Sequence, residues 1–427
     1  MTSAIIFGSF ALFLFLTVPI GIAIGLSLLA YILFVGGMPI GYLVTSIFAA
    51  CDSFPLMAIP FFVLAGSLME GGGLSKRLIG FADSFVGHKT GGLAVVTVVT
   101  CLFFGAISGS GPATVSAIGT IMAPAMIEKG YSKKFSMALV AASGCLGVII
   151  PPSIPMVMYG IATSSSISRL FMGGFFPGIL CGLALILLSV YYSRKLGYVG
   201  NGQQFSFHRV WREFKNAFWA LMVPVIILGG IYGGIFTPTE AAVVAVVYGL
   251  VVGLFVYKEL SWKRIAEDFA NTCLTTATIL IIVATGAALA KIMTLEGIPQ
   301  ALTVFMNQVT NNRIVLLMII NLFLLVVGCL MDTTAAILIL SPILYPIVAQ
   351  YGVNEIHFGL IIVINLAIGF ITPPVGINLF VACGIVDIKF EELSKSIVPF
   401  LLVLFAALLI VTYVPAITML LPNLLMG

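Results

Sequence analysis

Charged side chains are scarce in this sequence. Aspartate, glutamate, lysine and arginine make up 8% of the 427 residues, while hydrophobic residues make up 61%. Soluble domains carry about 25% charged residues, because their surfaces must be hydrated. A soluble fold is therefore excluded. Apolar stretches long enough to span a bilayer as helices, about 20 residues each, follow one another along nearly the whole chain. The sequence predicts an all-α polytopic membrane protein embedded in a lipid bilayer.

Residues that several other functions require are also missing. The sequence has no GxxxxGKS or GxxxxGKT motif, so it carries no P-loop for an ATP-driven pump. The net charge is only +4, and no basic cluster indicates a nucleic-acid partner. The three histidines lie in polar connections or at their edges, so none is expected to act as a catalytic base inside the membrane. The seven cysteines are scattered without a CxxC pair and are interpreted as packing residues. We expect neither an enzyme nor a bound cofactor.

The chain does contain one proline pattern that occurs twice. Residues 147–155 read GVIIPPSIP, and residues 369–378 read GFITPPVGIN. An offset of 222 residues superimposes the two motifs without a gap, and it also pairs Pro124 with Pro346. A duplicated membrane chain whose helices are interrupted at matching places is typical of secondary transporters.

Basic residues differ between two connections that this offset makes equivalent. Residues 128–134 carry three lysines, whereas residues 350–357 carry no lysine or arginine. Because cytoplasmic connections are enriched in lysine and arginine, we expect the two connections on opposite sides of the membrane. This orientation requires an inverted repeat. The chain accordingly divides into repeat one (1–193), a basic cytoplasmic linker (194–215) and repeat two (216–427).

A re-entrant hairpin is predicted in each repeat. The basic stretches 74–89 and 128–134 are both expected in the cytoplasm, and so is 258–268, yet the apolar stretch 91–126 lies between the first two. A single spanning helix there would place its flanks on opposite sides, so we expect a hairpin that enters and leaves by one face. Its equivalent in repeat two is 314–348, with its tip near Gly328 to Thr334. Non-helical backbone at membrane depth is tolerated only inside protein or beside water, so both hairpin tips should line a cavity.

Each repeat is thus predicted to contain five crossings and one hairpin. In repeat one these are 2–18, 19–36, 42–70, hairpin 91–126, broken helix 135–161 and 170–193. In repeat two they are 216–236, 238–257, 269–293, hairpin 314–348, broken helix 358–385 and 397–424. The division at Pro19 leaves a single helix over 2–36 as an alternative.

The predicted tip of the first hairpin, GAISGSGPAT at 105–114, is rich in glycine and hydroxyl side chains. Glycine and proline interrupt the helix there, and the freed carbonyls with Ser108 and Ser110 offer oxygen ligands, which hard cations prefer. An exposed helix N-terminus at the same place can hold a carboxylate. The alternative is a small-residue packing face, which lets helices approach closely.

Asp332 is the one acid well inside an apolar run, VVGCLMDTTAAILIL. A charge at mid-membrane costs about 2.5–3.5 kcal/mol on insertion scales, and such residues face the interior of the bundle. The offset superimposes Asp332 on Ser110 of the first tip. We interpret Asp332 as a sodium ligand or proton carrier; a buried acid satisfied by backbone donors is the alternative.

The proline pairs at 151–152 and 373–374 predict the two broken helices, because proline cannot donate a backbone hydrogen bond. We expect each break to pair with the hairpin tip of its own repeat and form a cation site, with substrate between the two sites. A simple proline kink is the alternative. The predicted sodium ligands are Ser108, Ser110, Gly147, Pro151, Asp332, Thr333, Gly369, Thr372 and Pro373. The predicted substrate-binding residues are Thr114, Ser153, Thr334 and Asn378.

Other polar residues are assigned to structure. Thr237-Pro238-Thr239-Glu240 reads as a capping box with proline at the first helical position. The residues that fall near helix ends or interfaces, and are left out of the predicted site, are Asp52, Glu70, Arg169, Lys291, Glu296 and Arg313.

The hairpin GAISGSGPATVSAIG, the twin proline breaks and the late MDTTAAI run resemble the large membrane subunit of the TRAP (tripartite ATP-independent periplasmic) transporters. The similarity runs through the whole chain, and is greatest to the sialic-acid type. The resemblance implies a bacterial inner-membrane protein, sodium coupling and an elevator movement of the hairpins and broken helices against a scaffold. It also implies two partners: a small four-helix membrane subunit, expected as a separate polypeptide, and a periplasmic binding protein that delivers an organic acid.

Two alternatives stay open at this point. C4-dicarboxylate types share the same motifs as the sialic-acid type. Related single-polypeptide carriers for citrate or dicarboxylates share the hairpin architecture and need no binding protein.

Overall fold

The computed structural model describes residues 2–36 and 38–426, and every regular element in this part of the chain is a helix. The helices up to residue 196 are α1 (Thr2–Phe15), α2 (Ile20–Val35), α3 (Ile40–Cys51), α4 (Ala58–Gly71), α5 (Leu74–Val86), α6 (Gly92–Ser108), α7 (Gly111–Glu128), α8 (Lys133–Gly144), α9 (Leu146–Ile149), α10 (Ile154–Thr163) and α11 (Ile167–Leu196). The later helices are α12 (Phe207–Tyr232), α13 (Pro238–Val251), α14 (Trp262–Leu295), α15 (Ile298–Val309), α16 (Arg313–Leu330), α17 (Thr333–Gln350), α18 (Glu355–Gly369), α19 (Ile377–Ile385), α20 (Phe390–Ser396), α21 (Val398–Tyr413) and α22 (Ala416–Leu425). A 3-10 turn covers Phe54–Met57, and a π-helical turn covers Val252–Val256.

The chain is confirmed as an all-α multi-pass membrane protein. Within the described residues, seven helices are long and apolar enough to cross a membrane, or nine segments if each of two bent helix pairs counts as one span. This number is smaller than the ten predicted crossings, and two of the seven, α16 and α17, form the predicted second hairpin. The difference comes from shorter helices such as α1 and α2, which are separated near Pro19 and pack against each other.

Two predicted crossings are interrupted. The stretch 42–70 consists of α3, the 3-10 turn and α4, because Ser53 is extended (φ −138°, ψ 120°) and Pro55 cannot continue the hydrogen-bond ladder of α3. The stretch 397–424 divides between α21 and α22 at Val414, which precedes Pro415 and is turned away from helical geometry (φ −120°, ψ 80°). Both interruptions have a proline as their local cause.

The 222-residue offset relates helices as well as motifs. Adding 222 to the bounds of α7 gives the bounds of α17, and α6 and α10 fall within one residue of α16 and α19 in the same way. Cys145 and Ala367 are equivalent under this offset, and the Cys145 thiol donates to the Ala367 carbonyl at 3.0 Å. A residue that touches its own repeat equivalent lies beside the axis that relates the two copies. The broken helices therefore meet at the centre of the molecule.

Two predictions about polar residues can be compared with the structure. The capping box is confirmed, since the Thr237 hydroxyl accepts from the Glu240 amide and the Glu240 carboxylate accepts from the Thr237 amide. His357 lies at the edge of its polar connection as expected, in the first turn of α18, but its burial was not predicted. This side chain is fully buried in α18, with Nδ1 at 2.8 Å from the Thr418 hydroxyl and Nε2 at 3.2 Å from the Thr412 carbonyl. The packing of α21 and α22 around α18 covers it.

Candidate functional site

The first hairpin turns between α6 and α7 within two residues. Gly109 ends α6 in the left-handed region (φ 61°), and Ser110 is extended and caps α7. The Thr114 hydroxyl donates to the Ser110 carbonyl at 2.7 Å and lies 3.1 Å from the Ser108 hydroxyl. Three oxygen-bearing side chains therefore converge on one turn of backbone.

This tip packs directly on the break of its own repeat. The Ile154 amide donates to the Gly109 carbonyl at 3.4 Å, across the non-helical residues that separate α9 from α10. A Cβ on Gly105 would lie 2.9 Å from Gly147 Cα, and a Cβ on Gly147 would lie 2.6 Å from the Ser110 carbonyl oxygen. Only glycine allows the two backbones to approach this closely.

Pro151 and Ser153 lie inside this break and are buried. The Ser153 hydroxyl donates to the Val148 carbonyl at 2.6 Å and accepts from the Met156 amide at 3.4 Å. It therefore caps α10 and satisfies a carbonyl at the end of α9. In this conformation its hydrogen bonds are all made within the break.

The second hairpin repeats the arrangement with an acid in place of a serine. Asp332 caps α17, and its Oδ2 accepts from the Thr334 amide at 2.8 Å. Thr333 and Thr334 follow it and are buried, and the Thr333 hydroxyl has no hydrogen-bond partner in the described part of the chain. The hydrogen bond from the Thr334 amide agrees with the alternative interpretation of Asp332 as a buried acid satisfied by backbone donors. This bond involves only one of the two carboxylate oxygens.

The second break lies between α18 and α19, at residues 370–376. A Cβ on Gly369 would lie 2.6 Å from Gly328 Cα, so the second tip also approaches the break of its own repeat through two glycines. The Thr372 hydroxyl donates to the Ile368 carbonyl at 2.9 Å, and Pro373 is half-buried beside it.

Asn378, at the start of α19, reaches the other repeat. Its Nδ2 donates to the Ala141 carbonyl of α8 at 3.2 Å, and its amide donates to the Phe370 carbonyl at 3.0 Å. The side chain is fully buried, and Oδ1 has no hydrogen-bond partner among the described residues. A Cβ on Gly111 would lie 3.3 Å from this Oδ1, so Asn378 belongs spatially to the first tip.

The two tips face one cavity of about 670 Å³. Its walls are completed by α4 and α14, which contribute Val63, Gly66 and Thr275 among others. The predicted site residues that line this cavity are Ser108, Ser110, Asp332, Thr333 and Thr334. The predicted site residues that lie outside its lining are Thr114, Gly147, Pro151, Ser153, Gly369, Thr372, Pro373 and Asn378. The cavity therefore joins both hairpin tips. The breaks contribute only apolar residues to its lining, Phe370 in the second break and Val148, Ile154 and Pro155 beside the first.

One acid of this cavity is missing from the sequence prediction. Glu70 lines it together with Ser67, both on α4. Glu70 was assigned to a helix end, which is correct, but that end opens into the cavity because α4 packs on the first tip. A Cβ on Gly66 would lie 3.2 Å from Ser108 Cα. The small pair Gly66-Ser67 one turn before Glu70 is the sequence signal that could have indicated this contact.

Comparisons with known proteins agree with this architecture. The family described as "Tripartite ATP-independent periplasmic transporter, DctM component" matches residues 7–417. A solved structure, that of the YdaH transporter of Alcanivorax borkumensis, has the same fold, with a TM-score of 0.62 over 90% of this chain and 88% of that one at 15% identity.

Three relatives differ in the substrate for which they are named. The isethionate TRAP transporter permease protein DctMQ of Oleidesulfovibrio alaskensis is 51% identical over 97% of this chain, which spans 65% of that protein's length. The C4-dicarboxylate large permease DctM of Rhodobacter capsulatus is 40% identical over the full length of both chains. The sialic acid large permease SiaM of Vibrio cholerae is 37% identical over 99% of this chain and 98% of that one.

These matches cover nearly every residue that builds the cavity, its two hairpins and its two breaks. The chain therefore belongs to the DctM family, the large permease subunits of the TRAP transporters, which are multi-pass transport proteins of the bacterial inner membrane and not enzymes.

Proposed function

We propose that this permease takes up a small organic anion by sodium-coupled secondary transport, after a periplasmic binding protein has delivered the anion. The observation that carries the proposal is the shared cavity, in which oxygen-bearing residues of both hairpin tips face each other. Two oxygen-rich tips, each backed by a broken helix, are the arrangement in which transporters of this kind hold cations.

Two cation sites are proposed, one in each repeat. The proposed site in repeat one is formed by the tip and the break. The tip supplies the hydroxyls of Ser108 and Ser110, and the break region supplies the backbone oxygens of Gly147 and Pro151. In repeat two, Asp332, Thr333, Gly369, Thr372 and Pro373 supply the corresponding set with a negative charge. Sodium is a hard cation that prefers such oxygen ligands.

Charge explains why cation and anion would move together. Asp332 and Glu70 both line the cavity and repel an anion, and the repulsion is strong where protein excludes water. A bound cation beside Asp332 offsets this repulsion. The N-termini of α7 and α17 also face the cavity and favour a carboxylate or sulfonate there.

Thr334 is the proposed substrate ligand that lines the cavity in this conformation. Thr114, Ser153 and Asn378 lie behind the first tip, outside the lining of the cavity, so they do not reach a substrate held there in this conformation. We propose an elevator movement, in which the hairpins and broken helices travel together past α4 and α14 while each tip stays on its own break. An inverted relation between the repeats is proposed on the lysine distribution. The 222-residue offset between helices supports the repeat itself.

We propose small organic anions as the substrate class, without singling out sialic acid. The relative named for isethionate is 51% identical, against 40% and 37% for those named for C4-dicarboxylates and sialic acid. We therefore propose a small sulfonate as the first substrate to test, followed by C4-dicarboxylates and sialic acid. The proposed partners are a periplasmic binding protein and a small four-helix membrane subunit.

Uptake into proteoliposomes tests this function. Vesicles containing the permease and its small subunit are given each candidate anion, with and without the matching binding protein, under an inward sodium gradient. We expect uptake that requires both sodium and the binding protein and that stops when potassium replaces sodium. Uptake that proceeds fully without any binding protein would favour the alternative, a single-polypeptide carboxylate carrier.

A further inference from the structure

Three basic stretches of the sequence meet at one surface pocket. Its volume is about 540 Å³, and it is lined by Lys76, Arg77, Glu213, Lys215, Asn216, Trp219, Val256, Tyr257 and Glu259. These residues come from α5, from the first half of α12 and from the connection before α14. All three stretches are predicted to be cytoplasmic from their lysine and arginine content. The pocket therefore lies where spanning helices emerge on that side.

The two carboxylates of the pocket already have partners. Glu259 pairs with Arg77 at 2.8 Å and with Lys76 at 3.9 Å. Glu213 pairs with Arg212 at 3.3 Å and accepts from Asn216 at 3.4 Å. No carboxylate lies within 4.0 Å of the Lys215 ammonium in the described part of the chain, where its recorded partner is the Trp211 ring at 5.5 Å. Three cations and two carboxylates line the pocket, so the excess charge is positive.

Aromatic residues surround this charge in the manner of a membrane interface. Trp211, Lys215 and Trp219 are spaced four residues apart and therefore share one face of α12. The chain contains three tryptophans, and all are exposed: Trp211 by 51%, Trp219 by 42% and Trp262, at the start of α14, by 77%. Exposed tryptophan is enriched where helices pass through the headgroup layer, because the ring has an apolar body and a polar nitrogen.

The walls of the pocket are held in place by specific contacts. The Arg77 guanidinium lies over the Tyr257 ring at 3.7 Å from its centroid. The Tyr257 hydroxyl donates to the Asn216 carbonyl at 3.0 Å, and the Tyr248 hydroxyl donates to the Trp219 carbonyl at 2.8 Å. The π-helical turn at 252–256 and a left-handed Lys258 (φ 57°) turn the chain back toward α5. The pocket is therefore a formed site rather than a loose cluster of lysines.

We propose that this pocket binds the phosphate group of an anionic phospholipid from the cytoplasmic leaflet. Lys215 and Lys76 contact the phosphate, and Trp219 packs against the glycerol region and the first acyl carbons. Basic pockets between spanning helices on the cytoplasmic side are suited to such headgroups. The exposed tryptophans favour a lipid over a soluble phosphate, because they add an apolar contact that only a lipid can fill.

Lipid titration followed by native mass spectrometry tests the proposal. The purified full-length permease is titrated with phosphatidylglycerol and, separately, with phosphatidylethanolamine. We expect Lys215→Ala to lower the affinity for phosphatidylglycerol about five-fold, the effect of one basic residue near a membrane surface, and to leave the weak binding of phosphatidylethanolamine unchanged. Lys195→Ala is the matched control, because Lys195 is exposed on the same predicted side at the end of α11.

Further arms keep the result decisive. Trp219→Leu should also weaken lipid binding, and it replaces Lys215→Ala as the test if that variant lowers the melting temperature. Lys215→Arg should retain lipid binding. Equal loss in Lys215→Ala and Lys195→Ala would overturn the proposal. Two other outcomes would also overturn it: displacement of the lipid by millimolar glycerol phosphate, which marks a soluble-phosphate site, and displacement by the small membrane subunit, which marks a protein contact.

Discussion

At the scale of single residues, the structure of Asp332 is compatible with both interpretations that the sequence leaves open. One carboxylate oxygen caps α17 through the Thr334 amide, and the residue also lines the cavity. Ser110, its equivalent in repeat one, occupies the same capping position without a charge. The two repeats therefore differ at this position by one negative charge in the cavity. They also differ in backbone geometry, since φ is −132° at Ser110 and −61° at Asp332.

This separation of roles gives a prediction for Asp332→Asn. Asparagine caps a helix about as well as aspartate, so we expect little change in melting temperature. Loss of the charge should abolish sodium-coupled uptake. Asp332→Ala should lose uptake and also about 1 kcal/mol of stability, because the cap is removed. The measurements are proteoliposome uptake and thermal unfolding; normal sodium-dependent uptake by Asp332→Asn would refute the charged cation site.

Thr237→Ala is the corresponding prediction for a residue with a purely structural role. The Thr237 hydroxyl accepts from the Glu240 amide at 3.3 Å at the start of α13, outside the lining of the cavity. Removing a capping hydroxyl costs about 0.5–2 kcal/mol, so the melting temperature should fall. The sodium dependence of the remaining uptake should not change. A shift in the sodium concentration needed for half-maximal uptake would show that this cap acts on transport.

At the scale of secondary-structure elements, the hairpins and breaks are joined by backbone contacts between glycines. Gly105 approaches Gly147 in repeat one, and Gly328 approaches Gly369 in repeat two. These contacts hold each tip against the break of its own repeat. Side chains larger than hydrogen cannot occupy the contact without moving a helix.

Gly369→Ala is expected to separate the second tip from its break. Its Cβ would lie 2.6 Å from Gly328 Cα, and backbone cannot yield as a flexible side chain can. Overpacking of this kind costs about 1–3 kcal/mol, and sodium-dependent uptake should be lost. Gly384→Ala on α19 is the matched control, since its Cβ would have no neighbour within 4 Å. Equal uptake in the two variants would mean that the glycine contact is not needed for transport.

At the scale of the whole molecule, the two halves of the chain share one centre. The contact between Cys145 and Ala367 joins equivalent positions of the two repeats, and Asn378 of repeat two reaches α8 of repeat one. The halves are therefore interlocked rather than side by side. Each tip is supported by its own break and by a half-helix of the other repeat.

Sidedness is the prediction that belongs to this scale. In a variant without the native cysteines, Lys129→Cys should react with an impermeant thiol reagent only from the cytoplasm. Glu355→Cys should react only from the periplasm, because an inverted repeat exchanges the faces of equivalent connections. The measurement is labelling of oriented vesicles before and after permeabilisation. Labelling of both positions from the same side would refute the inverted repeat.

The sequence predicted the positions of the chain breaks better than the surroundings of side chains. Proline pairs and glycine-rich tips are local signals, so hairpins and breaks could be located from them. Glu70 was missed because its distance from a helix end says nothing about which cavity that end enters. The burial of His357 was not predicted because α21 and α22, which cover it, follow it by more than 40 residues in the chain. Residues 42–70 were read as one crossing because the apolar run continues through the turn at Pro55.

Composition and the 222-residue offset were sufficient to predict a membrane protein with two related halves. Hydropathy and the positions of prolines are properties of the sequence itself and do not depend on tertiary contacts. Tertiary structure alone decided which oxygens face the cavity. Ser108 and Asp332 line the cavity, while Ser153 and Asn378 are buried behind a tip, although the sequence predicts all four as site residues. The physical reason is that the direction and exposure of a polar side chain depend on helices packed from the other repeat, more than 200 residues away in the case of Asn378 and Ala141.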